Sequence, residues 1–113
     1  MRLIRLRTKL NEIKEAVSID LLVFEEAGFS RYGHATRVAA ELRGLIQVWC
    51  EDNGINWRTY RPGEIKKHAT GNGRAGKAAM LEAAKSKLNY QGHDTDTADA
   101  LWLLALAEHD YAN

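Results

Sequence analysis

The chain has 113 residues, with 16 lysines and arginines against 15 aspartates and glutamates, so its formal net charge is +1. This length fits one domain with its own core, and the near-neutral balance excludes a chain that is basic throughout. Any nucleic-acid contact must come from a local basic patch, for which the stretch 58–87 is the candidate. The single cysteine, Cys50, excludes an internal disulfide framework and is expected to be a packed thiol. No apolar run is long enough to span a membrane, and we expect a cytoplasmic protein.

The first half of the chain predicts two helices and two strands. Apolar residues recur at helical spacing over 2–17, which predicts an amphipathic helix. The run 19–26 is rich in apolar, β-branched and aromatic residues and predicts a buried strand that carries Glu25 at its C-terminal end. A second helix is predicted over 35–52, ended by Asn53-Gly54, and alternation over 55–60 predicts a second strand.

Two glycine-containing loops carry cations. The segment 27–34 places Arg31 beside aromatic residues, and it is either an ordinary surface loop or a loop whose rings stack on exposed bases. The segment 69–77 follows a short helical turn predicted over 64–68. Its glycines would let backbone amides approach a phosphate, while Lys66, Arg74 and Lys77 supply positive charge. It is not the nucleotide-binding P-loop, which needs a longer spacing and a Lys-Ser/Thr pair.

A helix predicted over 77–88 leads through the polar link 89–95 to an acidic start followed by a long apolar run. Asp96 and Asp99 are three residues apart, so on a helix they share one face with Cβ atoms roughly 5–6 Å apart. The apolar run predicts that this helix is buried. The same pattern is typical of a helix N-cap with an acidic first turn, so a purely structural role stays open beside a shared site. The order of elements predicts an α/β fold with parallel pairing, in which ligand sites lie at the carboxyl ends of strands such as that of Glu25.

Three blocks, in this order, resemble the RuvC-type Holliday-junction resolvases of the ribonuclease H-like superfamily, and suggest a phage or prophage relative. The blocks are Phe24-Glu25-Glu26, the lysine and glycine segment 65–77, and Asp96-Thr97-Ala98-Asp99-Ala100-Leu101. With Glu41-Leu42-Arg43-Gly44 between them, they cover essentially the whole chain. The resemblance implies a ribonuclease H-like sheet flanked by helices, in a single domain over 1–113. It also implies a crossover junction endodeoxyribonuclease that resolves four-way DNA junctions by phosphodiester hydrolysis.

The resemblance also implies a homodimer, because two symmetric cuts require two sites.

It further implies residue roles. Glu26 and Asp94 match no ligand position, so we expect Glu26 to support a neighbouring carboxylate and Asp94 to cap a helix. The carboxylates of Glu25, Asp96 and Asp99 would bind Mg²⁺ or Mn²⁺, and Lys66 and Lys77 would lie near the scissile phosphate. The DNA-binding residues would be Arg31, Lys66, Lys67, Arg74 and Lys77.

The sequence departs from the family pattern in one respect. The family begins with a strand carrying an aspartate, followed by a glycine-rich turn, and no residue before Glu25 corresponds to that aspartate. We therefore expect an N-terminally truncated chain or a degenerate paralogue, with impaired cleavage. A non-catalytic DNA-binding or interaction module on the resolvase scaffold is the alternative, and a plain α/β interaction protein is a third possibility.

Overall fold

The computed structural model describes residues 2–26 and 33–111, without the side chains of 33–36. Within this part of the chain every predicted helix and strand is present. The two strands are neighbours in a small parallel sheet, as predicted. None of the described helices combines the length and the apolar character that crossing a membrane requires. The elements are α1 (Arg2–Ala16), β1 (Leu21–Glu25), α2 (Gly33–Asn53), β2 (Asn56–Tyr60), α3 (Pro62–Thr70), α4 (Lys77–Lys87) and α5 (Thr95–Tyr111).

Helix α3 is two residues longer at each end than predicted. Proline fixes the backbone φ near the helical value and lacks the amide hydrogen that a first helical turn leaves unpaired, so Pro62 begins the helix. The side chain of Glu64 accepts a hydrogen bond from the backbone N–H of Arg61 at 3.0 Å. The helix ends at Thr70 and is capped by Gly71, whose φ of 83° is the left-handed conformation that glycine adopts without strain.

By its internal contacts the described chain falls into two compact units, of which the first comprises 2–22, 26 and 33–59. Here α1 packs against α2, and Leu10, Trp49 and Cys50 form the buried centre. The indole N–H of Trp49 donates a hydrogen bond to the side-chain oxygen of Asn11 at 2.9 Å. Burial raises the pKa of the Cys50 thiol, and the Glu51 carboxylate raises it further. The thiol is fully buried, which confirms the predicted packed cysteine.

The second unit comprises 23–25 and 60–111, and its core lies among α3, α4 and α5. Ala69, Ala84 and Ala98 are fully buried, one on each helix, and such small side chains let the helices pack closely. The buried indole of Trp102 donates a hydrogen bond to the backbone carbonyl of Met80 at 3.2 Å. These contacts join α5 to α3 and α4.

The prediction of a helix buried all round is wrong for α5. Ala98 and Trp102 are buried, whereas Leu104 is 51% exposed and Ala100 is also open to solvent. Leu104 and Ala100 stay exposed because α3 and α4, the helices that contact α5, cover the face that carries Ala98 and Trp102. The apolar run in the sequence therefore conceals a helix with a covered face and an open one.

Asp94 caps the N-terminus of α5, as predicted. One oxygen of its carboxylate accepts the backbone N–H of Asp96 at 3.3 Å. The other accepts the backbone N–H of Thr97 at 3.3 Å and its hydroxyl at 2.6 Å. The bond from the Thr97 hydroxyl, followed by that from the Asp96 backbone, lowers the pKa of Asp94 because both favour the charged form.

We expect Asp94→Ala to lower the free energy of unfolding at neutral pH, because the first amides of α5 lose their partner. A carboxyl group whose folded pKa is lowered stabilises the protein above its unfolded pKa, and this contribution is lost as the pH falls through the folded pKa. The difference between wild type and Asp94→Ala should therefore shrink in acid. Denaturant unfolding followed by circular dichroism at neutral and acidic pH measures it. Asp94→Asn, which keeps a capping oxygen, should lie between the two, and equal stability of all three proteins would contradict the capping role.

Candidate metal centre and nucleic-acid interface

Glu25 is the last residue of β1. The four residues before it are half-buried, whereas Glu25 itself is exposed where the strand ends. Desolvation of the carboxyl group is the largest effect on its pKa and raises it, and the negative charge of Asp99 raises it further. Lys66 acts in the opposite direction. The end of β1 thus places the carboxylate of Glu25 close enough to Asp99 and Lys66 for both charges to shift its pKa.

Asp96 and Asp99 lie in the first turns of α5, where the buried Ala98 and Trp102 fix the rotation of the helix. Desolvation is the main effect that raises the pKa of Asp99; Lys77 lowers it, and Asp96 raises it again. Asp96 is more open, since its side chain is 86% exposed and lies 4.0 Å from the ammonium group of Lys77. The charges of Lys77 and of the neighbouring carboxylate therefore act in opposite directions on the carboxyl group of Asp99.

These three carboxylates border the same surface depressions. Glu25, Asp96 and Asp99 line an open depression of about 430 Å³ together with Lys66 and Lys77. They also line an adjoining one of about 250 Å³, floored by apolar residues of α5. The structure thus brings together a strand end, two turns of α5 and lysines from α3 and α4.

The three carboxylates are not close enough together in this structure to bind one metal ion jointly. Across 2–26 and 33–111, no three carboxylate, imidazole or thiol groups are close enough together to hold one metal ion. The donor chemistry nevertheless fits Mg²⁺ or Mn²⁺, because such ions prefer carboxylate oxygens and Mg²⁺ commonly keeps several waters and takes substrate phosphate oxygens as further ligands. After desolvation, which is the largest effect on both groups, the charge of Asp99 raises the pKa of Glu25 and the charge of Asp96 raises the pKa of Asp99. A bound cation relieves repulsion of this kind between carboxylates.

The glycine loop between α3 and α4 is ordered by its own side chains. The Thr70 hydroxyl donates to the Lys66 carbonyl at 2.9 Å and accepts the backbone N–H of Asn72 at 3.0 Å. The Asn72 side chain in turn accepts the backbone N–H of Arg74 at 3.0 Å. A Cβ atom on Gly73 would approach the Gly63 carbonyl oxygen to 3.4 Å, so the two backbone segments pass closely. The loop therefore holds a set shape between Lys66 and Lys77.

The remaining sequence-predicted residues have different surroundings. Lys67 and Arg74 are exposed and do not line the depression, although they lie on the same segment. Arg31 falls outside the described residues. Glu26, expected to support a neighbouring carboxylate, lies with one oxygen 3.8 Å from the guanidinium of Arg43.

Two features of the site were missed from the sequence. The apolar lining includes Met80 and Leu103, and Leu103 is four residues after Asp99, a helical spacing that could have indicated it. The ammonium group of Lys87 donates to the backbone carbonyl of Ala69 at 2.9 Å and so ties α4 to the end of α3. No sequence signal indicates this bond, because its partner is a backbone carbonyl on another helix.

Known structures share this fold. Thermus thermophilus RuvC matches 98% of this chain and 68% of that protein, with a TM-score of 0.76 at 23% identity. A structure described as T. thermophilus RuvC in complex with Holliday junction substrate gives a TM-score of 0.80 with the same coverage and identity. The fold is therefore α/β of the ribonuclease H-like class.

Sequence comparison goes further than the fold. The family model "Crossover junction endodeoxyribonuclease RuvC" matches residues 1–108. A curated protein of that name from Caldicellulosiruptor saccharolyticus is 34% identical over 103 residues, covering 89% of this chain and 62% of the relative. Another from Brachyspira hyodysenteriae is 34% identical over 106 residues, covering 94% of this chain and 66% of the relative. The chain belongs to the RuvC family, and it spans somewhat less than two thirds of the length of these relatives.

We expect Asp99→Asn to stabilise the folded chain at neutral pH, by well under about 1 kcal/mol because solvent screens a partly exposed group. A carboxyl group whose folded pKa is raised contributes stability below its unfolded pKa and loses it as the pH rises through the folded pKa. The stability of wild type relative to Asp99→Asn should therefore fall over that rise. Chemical unfolding between pH 4 and 7 measures the two slopes. Glu108→Gln, on α5 but outside the depression, is the matched control, and identical profiles for wild type and Asp99→Asn would contradict the raised pKa.

Proposed function

We propose that this chain is a structure-selective DNA endonuclease that resolves four-way junctions by metal-dependent phosphodiester hydrolysis. The observation that carries this proposal is the depression that Glu25, Asp96 and Asp99 share with Lys66 and Lys77, in a chain of the RuvC family. The junction substrate is taken from the description of the T. thermophilus complex. A phage or prophage origin and action in the cytoplasm stay predictions.

The carboxylates have one role in this proposal. Glu25, Asp96 and Asp99 would hold Mg²⁺ or Mn²⁺ through oxygen ligands, with water and phosphate oxygens completing the set. Bound there, such an ion would supply the positive charge needed to activate an attacking water and to stabilise the leaving oxygen of an in-line displacement. The carboxylates themselves would supply the negative charge that offsets the ions.

The lysines have a second role. Lys66 is half-buried on α3, and Lys77 begins α4 beside Asp96, so both ammonium groups border the depression. Positive charge placed there stabilises the negative charge that develops on a phosphate during displacement. Lys67 and Arg74, which are exposed on the same segment, would contact phosphates farther along the DNA, and two symmetric cuts would require a homodimer.

We further infer that the 113-residue polypeptide cleaves weakly. Three carboxylates border the depression, and the described residues contain no group of three that could hold an ion as placed. The same observation favours a second candidate function, a junction-binding module without cleavage.

A cleavage assay tests the enzyme proposal. The 113-residue chain is incubated with a labelled four-way junction and Mg²⁺ or Mn²⁺, alongside Asp99→Asn and Glu108→Gln. We expect at most slow cleavage, which is lost in Asp99→Asn and kept in Glu108→Gln. The reason is that Asp99 borders the depression and Glu108 does not. Rapid cleavage that depends on Asp99 would contradict the impairment and support the site. Cleavage that persists in Asp99→Asn would refute the site, and tight binding with no cleavage would favour the second candidate.

A binding assay tests the basic surface separately. Lys66→Ala and Lys77→Ala should weaken junction binding and lower the dependence of affinity on salt, by about one unit of slope for each lost phosphate contact, because such contacts release counterions. Electrophoretic mobility shifts over a range of salt concentrations give these slopes. Lys9→Ala changes an exposed lysine on α1 and should behave as wild type. Unchanged affinity and slope in both site variants would rule out this surface.

A further inference from the structure

Two histidines from different helices meet at a distance from the carboxylates. His68 on α3 and His109 on α5 have ring centres 5.2 Å apart, with planes inclined at 44°. His68 is half-buried and meets Trp102 edge-on, at 5.9 Å between ring centres and 80° between planes. His109 is exposed. One imidazole is therefore held by packing, while the other can rotate in solvent.

The separation of the rings matches that of two imidazoles on one metal ion. A ligating imidazole nitrogen lies about 2.0–2.1 Å from Zn²⁺, which puts the ring centre roughly 3.2 Å from the ion. Two such rings at a tetrahedral angle have centres about 5.2 Å apart. The ring of His109 is exposed and can turn about χ2, a broad torsion, to present either nitrogen towards His68.

The hydrogen bonding of the two rings is also compatible with ligation. Within the described ranges, no hydrogen bond or ion pair involves either imidazole, so no protein contact there competes with an ion for their nitrogens. His93 differs, since its Nδ1 lies 3.1 Å from the ammonium group of Lys85. Simple aromatic packing against Trp102 explains the place of His68 but does not require a second imidazole beside it.

We propose that His68 and His109 form a two-histidine site for a divalent transition-metal ion such as Zn²⁺ or Ni²⁺, joining α3 to α5. Two protein ligands leave the other coordination positions to water. This agrees with the absence, in the described part, of any group of three potential ligand side chains. Because a bound ion would link α3, which carries Lys66, to α5, which carries Asp99, it would stabilise the packing of the two helices on which the carboxylate depression depends.

This site differs from the carboxylate depression in place and in chemistry. His109 is ten residues beyond Asp99 on α5, about 15 Å along the helix at 1.5 Å per residue. Imidazole suits Zn²⁺, Ni²⁺ and Cu²⁺, whereas carboxylate and water suit Mg²⁺ and Mn²⁺. An ion at the histidines is thus expected to bind in the presence of excess Mg²⁺.

Titration of the tag-free 113-residue chain with Ni²⁺ in excess Mg²⁺ tests the proposal. Trp102 lies beside His68 and reports binding through quenching of its fluorescence, and a rise in melting temperature gives an independent readout by mass action. The test variants are His109→Gln, which changes an exposed side chain and spares the core, and His68→Gln. The control is His93→Gln. Asp99→Asn separates this site from the carboxylates.

We expect saturable quenching and a higher melting temperature for wild type, His93→Gln and Asp99→Asn. In His109→Gln and His68→Gln the affinity should fall by at least about tenfold, since even outer-sphere changes commonly cost 10–100-fold in metal affinity. Wild-type affinity in His109→Gln would overturn the proposal, as would the absence of any Ni²⁺ effect on wild type. Junction cleavage plays no part in this experiment, so its result is independent of the nuclease proposal.

Discussion

The packing of one face of α5 is the constraint on which the candidate site depends. Ala98 and Trp102 are buried against the unit formed with α3 and α4, and the Trp102 indole is hydrogen-bonded to the Met80 carbonyl. A buried indole donor without a partner would be costly, so this bond fixes the helix in rotation as well as in place. With α5 fixed in this way, Asp99 lines the same depression as Glu25, the last residue of β1.

Three aspartates within six residues show how strongly local surroundings decide chemistry. The pKa of Asp94 is lowered by hydrogen bonds from the start of α5, so its charge is used in the helix cap. Asp96 is open to solvent and lies near Lys77. The pKa of Asp99 is raised, first by desolvation. A structural cap and an acidic site are therefore not competing explanations for this stretch, because the chain assigns them to different aspartates.

The parts of the fold that were predictable are those fixed by local sequence. Helix α2 and the second strand follow from hydrophobic periodicity, and the first strand from its apolar, β-branched and aromatic composition. The capping role of Asp94 was expected because this residue matches no ligand position of the family. The adjacent Lys66 and Lys67 of α3 show what local sequence does not predict. Ile65 and Ala69 are buried, and this helix phase puts Lys66 at the depression and leaves Lys67 in solvent, a distinction that depends on which face is covered.

Tertiary packing also explains the features that the sequence concealed. The apolar run of α5 gave no sign that Leu104 would be exposed, because the number of helices that cover it is not a local property. The pairing of His68 with His109 joins residues 41 positions apart, and neither has a neighbour in the sequence that marks it. Periodicity reports that a helix has an apolar surface, but only the packed structure reports how much of that surface is used.

Helices α3 and α5 carry both candidate sites of this unit. Lys66 and Asp99 border the carboxylate depression, and His68 meets His109. Both arrangements depend on the spacing of these helices, and Ala69 is fully buried where α3 ends. A larger side chain there would overpack the core at a cost of about 1–3 kcal/mol and push the helices apart. Such a change would weaken the lysine–carboxylate arrangement and the histidine pair together, although neither contains an altered residue.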